Sequence, residues 1–196
     1  MLLSPKLRWL LVFACVSLGL NLGQVVRAAD EAKDEPKKDQ GFSIGEGKFL
    51  LTAPDKWIRK QPKTKIVEHE FAVPAVEGET EDGRLTVMGA GGAIDDNISR
   101  WIGQFAQPDA KDIKKDKKTI SGQEVHFVDI AGTYKDSVGG PFAGGKVVER
   151  PDYRMMAVIV ATEKDGNYFI KLYGPKKTIA ANEEGFTKMI EGLKAK

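Results

Sequence analysis

Apolar and polar residues alternate along several short stretches of the chain, and this period of two is typical of half-buried β-strands. The pattern predicts strands at residues 49–51, 65–73, 84–90, 118–120, 124–134, 153–162 and 167–173, with a further strand starting at Trp57. Turn residues separate these stretches. Pro54 closes a turn after the first strand, and residues 163–166 predict a hairpin turn because their Asp-Gly pair favours positive φ.

Two other stretches repeat apolar residues every three or four positions, which is the period of an α-helix. The first spans residues 94–105, with Asp95 or Asp96 as its cap and Pro108 as its end. The second begins at Thr178 as its cap. The apolar face of this last helix consists of Ile179, Phe186, Met189, Ile190 and Leu193.

The order of these elements indicates the fold class. Strands come first and in runs, one helix is inserted among them, and the other helix ends the chain. Alternating strands and helices would instead indicate a parallel sheet. The predicted fold is therefore α+β: a mainly antiparallel β-sheet flanked by helices, in an α/β/α sandwich.

The first 28 residues have the pattern of a cleavable secretory signal. Lys6 and Arg8 precede an apolar run at residues 9–20, and Val26 and Ala28 occupy the small-residue positions that a signal peptidase requires. The apolar run falls short of a membrane span of roughly 20 residues. We expect cleavage after Ala28 and an exported protein that is either periplasmic or extracellular.

Cys15 is the only cysteine, and it lies inside this apolar run. Its surroundings loosely match a lipoprotein processing site, but Phe13 is bulky for such a site and the apolar run continues past Cys15. We expect a structural residue of the signal, so that the processed chain has no cysteine and no disulfide. Lipidation of Cys15 is the alternative.

The segment that follows the signal differs in composition from the rest of the chain. Residues 29–40 are mostly charged and nearly free of large apolar groups. Such a segment buries too little surface to offset its ordering entropy, which predicts a flexible charged tether. Residues 41–196 are then expected to form a single globular domain.

Charge excludes one class of partner. Removal of Lys6, Arg8 and Arg27 leaves 27 Lys and Arg residues against 28 Asp and Glu residues, a net charge of about −1. A processed chain of this charge does not indicate nucleic-acid binding. The basic run at residues 111–118 predicts a solvated strand edge or loop, with a surface for phosphate or an acidic partner as the alternative.

The residues that usually perform catalysis or bind metals form no recognisable motif. The chain has two histidines, His69 and His126, which we expect on strand faces opposite the larger apolar residues. The acidic residues at 77–82 predict a solvated hairpin tip. The glycine-rich stretches at 89–92 and 139–146 lack a phosphate-binding fingerprint. We therefore expect no enzyme, no metal site and no cofactor.

Three segments together resemble a known family. They are Ala-Pro-Asp-Lys-Trp at 53–57, the amphipathic helix that contains Trp101, and the strand at 168–175 that leads into the apolar positions of 186–193. This combination is similar to the PsbP-like family, which includes exported bacterial proteins, and it covers residues 49–193. The resemblance implies an antiparallel sheet sandwiched by helices and no enzymatic activity. It implies no binding residues, because no binding motif of the family matches.

Two functions follow from these expectations. The first is an exported non-catalytic domain that docks onto a protein or cell-envelope partner, with Phe142 in the glycine-rich loop as the candidate anchor. The alternative is a carrier of a small ligand, with a pocket between sheet and helix lined by residues such as Trp101, Phe105 or Tyr173. An enzyme that uses acidic residues from several strands ranks third.

Overall fold

Two antiparallel sheets and three helices make up the fold. The computed structural model describes residues 40–137, 146–162 and 166–196. Within these residues the strands are β1 (Gly41–Ile44), β2 (Phe49–Thr52), β3 (Ile58–Lys60), β4 (His69–Val73), β5 (Gly83–Ala90), β6 (Ile113–Ile120), β7 (Gln123–Ser137), β8 (Val147–Thr162), β9 (Gly166–Pro175) and β10 (Lys194–Ala195). The α-helices are α1 (Ile94–Ile102), α2 (Lys176–Ala181) and α3 (Glu183–Glu191).

The larger sheet has seven strands in the order β3-β4-β5-β9-β8-β7-β6, and every neighbouring pair is antiparallel. A smaller sheet has the order β1-β2-β10, also antiparallel. The predicted α+β class with a mainly antiparallel sheet is confirmed. Two short strands, β1 and β10, were not predicted from the sequence.

One face of the large sheet, here called the inner face, is covered by the small sheet together with α2 and α3. Alternate residues of the strands point to it, among them Leu85 and Val87 of β5 and Ile170 and Leu172 of β9, each with none of its surface exposed. They form one apolar cluster with Phe42 of the small sheet and with residues of the last helices.

The opposite face, here called the outer face, carries a second apolar cluster beneath α1. It contains Ile98 and Trp101 of α1, and Phe169 of β9. The rings of Trp101 and Phe169 meet edge to face at 5.1 Å. Because helices or strands cover both faces, the central strands are apolar in consecutive positions, and six successive residues of β8 from Met155 to Val160 are buried.

The last helical stretch departs from its prediction. It was expected as one helix capped by Thr178, but it is two helices that meet at Asn182. Thr178 is buried inside α2, where its hydroxyl accepts a hydrogen bond from the Val76 amide at 3.3 Å. Asn182 accepts one from the indole Nε1 of Trp57 at 2.8 Å. The break therefore places a side-chain acceptor against a buried tryptophan.

The predicted start and end of α1 are also wrong in detail. Ala93 precedes the helix, and neither Asp95 nor Asp96 makes a capping hydrogen bond, although both lie in the first turn and favour it through the helix dipole. The helix ends at Ile102, well before Pro108. Phe105 lies beyond the helix and forms a β-bridge with Tyr134, so its burial comes from the sheet and not from the helical stripe.

Several strands differ from their predicted bounds. β4 begins at His69, four residues later than expected, whereas β7 and β8 are 15 and 16 residues long. The basic run at 111–118 was predicted as a solvated strand edge or a loop. It lies largely in β6, which is an edge strand of the large sheet. Lysines on an edge strand discourage pairing with another chain.

Some predictions fall outside the described residues. These are the signal peptide at 1–28, residues 29–39 of the tether, the glycine-rich loop with Phe142, and residues 163–165 of the hairpin turn. Among the helices that the structure does describe, none is long and apolar enough to cross a membrane.

Candidate functional site

The outer face carries a row of polar residues beside α1. Residues of β5 and β9 stand directly opposite each other as cross-strand pairs, and Arg84 faces Tyr173 while Thr86 faces Lys171. A helix of nine residues is only about 13 Å long, so α1 cannot cover the whole width of a seven-stranded sheet. The part that it leaves open lies along this polar row.

A pocket of about 440 Å³ lies between α1 and this row, within the usual size range of small-molecule sites. Its floor is formed by β5 and β9, and one wall is formed by α1 and the turn after it. The lining residues are Val67, Arg84, Thr86, Met88, Asn97, Arg100, Trp101, Gln104, Phe169, Lys171 and Tyr173.

Arg84 is held firmly at one end of the pocket. Its Nε and Nη2 donate to the two carboxylate oxygens of Glu70 on β4, each at 2.9 Å, and its Nη1 donates to the Tyr173 hydroxyl at 2.9 Å. The hydrogen bonds to Glu70 raise the pKa of Arg84 above its ordinary value. Burial raises the pKa of Tyr173, so the phenol stays neutral. The bidentate pair fixes the guanidinium in place.

Lys171 stands in the middle of the pocket floor. Its Nζ donates to Oε1 of Gln104 at 2.9 Å and lies 5.7 Å from the ring centre of Trp101 and 5.6 Å from that of Tyr173. Burial, and to a lesser extent the positive charge of Arg84, lowers the pKa of Lys171 to about 8. The ammonium thus has an amide oxygen and two aromatic faces as its neighbours.

Arg100 lies at the exposed rim of the pocket, on α1. Its guanidinium donates to Oδ1 of Asn97, one turn earlier in the helix. Asn97 is buried, and its amide donates to the backbone oxygens of Gly91 and Ala93 at 3.2 and 2.9 Å. Asn97 therefore joins the glycine-rich turn to the helix and holds Arg100 beside the pocket.

Two of the four predicted contact residues, Trp101 and Tyr173, line this pocket. Phe105 does not: it is 2% exposed and packs against Tyr134 in the outer cluster, with their ring centres 5.4 Å apart. Phe142 lies outside the described residues. Arg84 and Lys171 were not predicted as site residues, although Lys171 is a cation flanked on both sides by the apolar strand residues Ile170 and Leu172.

The two histidines lie away from the pocket. His69 was expected opposite the larger apolar residues, but it lies on the inner face, where its ring is 5.0 Å from that of Phe42 and its Nε2 is 2.8 Å from the Ser43 oxygen. His126 does lie on the sheet face opposite to that of its neighbours Val125 and Phe127, and its Nε2 is 2.6 Å from a Glu124 oxygen.

The acidic loop at 77–82 is more than the solvated tip that was predicted. Glu81 accepts hydrogen bonds from Arg150 at 2.7 Å and from the Tyr153 hydroxyl at 2.5 Å, so it joins the loop to β8. The bond from Tyr153 is the main cause that lowers the pKa of Glu81. Within residues 40–137, 146–162 and 166–196, no three metal-ligating side chains come together.

Comparison with known proteins identifies the fold. No family model matches the chain, and no curated protein matches it by sequence. The solution structure of PsbP (CyanoP) from the cyanobacterium Synechocystis sp. PCC 6803 matches with a TM-score of 0.50 and 13% sequence identity, over 80% of this chain and 92% of that one. The chain therefore has a PsbP-like fold.

A second solved structure of this kind is the Ran-binding protein Mog1p from Saccharomyces cerevisiae. It matches with a TM-score of 0.45 and 8% identity, over 79% of this chain and 94% of that one. The match to the PsbP structure confirms, at the level of the fold, the resemblance to PsbP-like proteins noted in the sequence. The PsbP-like fold by itself does not specify a ligand or a partner.

Proposed function

We propose that the domain is a non-catalytic binding protein that carries a small ligand in the pocket between α1 and the large sheet. One observation carries the proposal: the pocket of about 440 Å³ combines apolar and aromatic lining residues with polar ones, and hydrogen bonds hold the polar Arg84 and Lys171 in place. That combination is typical of small-molecule sites. Trp101 and Tyr173, two of the residues expected for such a carrier, contribute to the lining.

The polar groups of the pocket suit binding better than catalysis. Arg84 is held by Glu70 and Tyr173, and Lys171 by Gln104. None of the eleven described lining residues is a histidine, a carboxylate, a serine or a cysteine. Proton transfer or nucleophilic attack there would therefore depend on Lys171, Tyr173 or Thr86, and the phenol of Tyr173 is kept neutral by burial.

Docking onto a protein or envelope partner was the first function expected from the sequence, and it remains a prediction. Its candidate anchor, Phe142, lies outside the described residues. Export is likewise a prediction, since it rests on residues 1–28. A carrier in the cell envelope is compatible with both, because a pocket on the outer face leaves the rest of the surface available to a partner.

NMR with labelled protein and a mixed set of neutral, cationic and anionic fragments tests the proposal. We expect at least one fragment to shift the amide signals of Met88, Trp101 and Lys171 together. Met88 is partly exposed and lines the pocket, so Met88→Trp fills it with little change in polarity and removes these shifts. Thermal unfolding verifies that the variant is folded.

Lys115→Met, on the exposed surface of β6, is the matched control and retains the shifts. Native mass spectrometry of the protein purified from its own source adds a second readout. We expect a bound species in the wild-type protein and none in the Met88→Trp variant. If no fragment class shifts the pocket residues and the native protein carries no bound mass, the carrier function is wrong.

A further inference from the structure

The charges around the pocket are strongly one-sided. Of the eleven described residues that line it, Arg84, Arg100 and Lys171 are cations, and none is Asp or Glu. This is unusual for a chain whose acidic and basic residues are almost equal in number, 28 and 30. The pocket therefore carries a local excess of positive charge, although the total charge of the chain is close to zero.

Among the residues that the structure describes, a carboxylate neutralises only one of these three cations. Arg84 forms its bidentate salt bridge with Glu70, which lies on the neighbouring strand. The described partners of Lys171 and Arg100 are amide oxygens, those of Gln104 and Asn97 respectively. An amide oxygen satisfies a hydrogen bond but supplies no negative charge, so two positive charges at the pocket remain uncompensated.

An uncompensated charge is tolerated on the surface, but on the floor of a pocket it is costly. The ammonium of Lys171 is half-buried under Trp101 and beside the Arg84–Glu70 pair, and its pKa is low because of that burial. Met would fit the same position without this cost. A lysine here is explained if the bound state of the protein supplies a negative group.

We propose that the pocket binds a small organic oxyanion, a molecule with one carboxylate or phosphate group attached to an apolar body. Lys171 on the floor and Arg100 at the rim pair with the anionic group, while the apolar body lies against Met88, Val67 and Phe169, which supply the apolar part of the lining. This inference rests on the proposed carrier function and names the chemical class of its ligand.

Four probes of similar size, each with one phenyl ring, test the assignment. Benzoate and phenyl phosphate carry the two oxyanions, benzamide is the neutral counterpart of benzoate, and benzylammonium is a cation. Their dissociation constants are measured by NMR titration of the Lys171 and Arg100 signals at pH 7. We expect at least one oxyanion to bind at least tenfold more tightly than benzamide, and benzylammonium not to bind.

Variants decide which residues carry the preference. Lys171→Met is expected to reduce the ratio between the tighter oxyanion and benzamide at least fivefold, and Arg100→Gln to reduce it by a smaller factor. Lys115→Met, which removes the same charge from the exposed edge strand, leaves the ratio unchanged. Lys171→Arg, which keeps the charge, retains most of the preference and shows that a folding defect is not the cause.

The outcomes separate this inference from the carrier function. Benzamide or benzylammonium binding in the pocket as tightly as the oxyanions would overturn the oxyanion assignment and leave the carrier function standing. An oxyanion preference that persists unchanged in Lys171→Met and Arg100→Gln would overturn the roles of these two residues. If none of the four probes nor any fragment binds, and the native protein carries no bound mass, both the inference and the carrier function are wrong.

Discussion

The two faces of the large sheet are built from the same strands but differ in how completely they are covered. Along β9, Ile170 and Leu172 point to the inner face and have no exposed surface, while Lys171 and Tyr173 between and after them point to the outer face and are partly exposed. The inner face is closed by a second sheet and two helices, and the outer face by one short helix.

This difference explains where the polar residues lie. Most residues that point to the inner face are apolar, and a gap in its cover would expose them to solvent. They belong to one buried apolar cluster, which includes residues from Phe42 to Leu193. On the outer face the strands next to α1 are open to solvent, and charged residues such as Glu70, Arg84 and Lys171 occupy them. The strand residues of a covered face are therefore mostly apolar, whereas those of a partly open face include charged residues that are available for binding.

The largest expected effect is on the inner face. Leu172→Ala removes a side chain that is completely buried, and the cavity that remains should lower the free energy of unfolding by about 2–5 kcal/mol. Urea unfolding followed by circular dichroism measures the loss. A loss below about 1 kcal/mol would show that the inner face repacks easily, and it would weaken the contrast between the two faces.

A glycine on the same strand should have the next largest effect. Gly174 has a φ of +156°, and a Cβ atom added to it would stand 2.7 Å from the Cα atom of Gly83 on β5. Gly174→Ala must therefore push two backbones apart, and we expect a loss of about 1–3 kcal/mol in urea unfolding. Gly47→Ala is the control for positive φ alone, because nothing lies within 4 Å of its added Cβ.

On the outer face we expect the opposite sign. Lys171→Met replaces a half-buried charge whose described partner is the amide oxygen of Gln104, so it should raise the free energy of unfolding by about 1 kcal/mol at pH 7. The exposed control Lys115→Met should stay within about 0.5 kcal/mol of the wild type. A destabilised Lys171→Met with an unaffected control would mean that Lys171 stabilises the fold. The outer face would then not differ from the inner face in this respect.

The pH dependence of this gain tests its cause and is the most specific of these effects. The pKa of Lys171 is about 8 in the folded protein and 10.5 ordinarily, so between these values the unfolded chain binds more protons and wild-type stability rises with pH relative to Lys171→Met. The advantage of Lys171→Met is therefore complete below pH 8 and lost as the pH approaches 10.5. Paired urea unfolding curves from pH 7 to 10.5 measure it, and a constant difference would refute the lowered pKa.

The comparison with Lys171→Met isolates Lys171 from its charged neighbours. Both proteins keep Arg84 on β5, Arg100 on α1, Glu70 on β4 and Tyr173 on β9. Their direct titration is then common to the two curves and cancels. The pKa of Arg84 is raised, so its guanidinium stays charged throughout this range, and burial raises the pKa of Tyr173, which keeps the phenol neutral for longer.

Much of the fold was predictable because it depends on local periodicity. The alternation at Leu85 and Val87 and the stripe of Ile98 and Trp101 correspond to a strand and a helix in the structure. Ends were predicted less well. The long helical stripe after Thr178 gave no sign of its break, because the reason for it is the distant Trp57 indole that bonds to Asn182.

The amino-acid sequence by itself determined the α+β class, the central strands and the amphipathic helix, since hydrophobic period and turn residues act over a few positions. Only the tertiary structure decided that Arg84, Arg100 and Lys171, which lie on three different elements, line one pocket. It also decided that Glu70 pairs with Arg84, while the described partners of Arg100 and Lys171 are amide oxygens. Strand order and the short length of α1 cause this arrangement. Local patterns in the sequence do not reveal it, because Arg100 and Lys171 lie 71 positions apart in the chain.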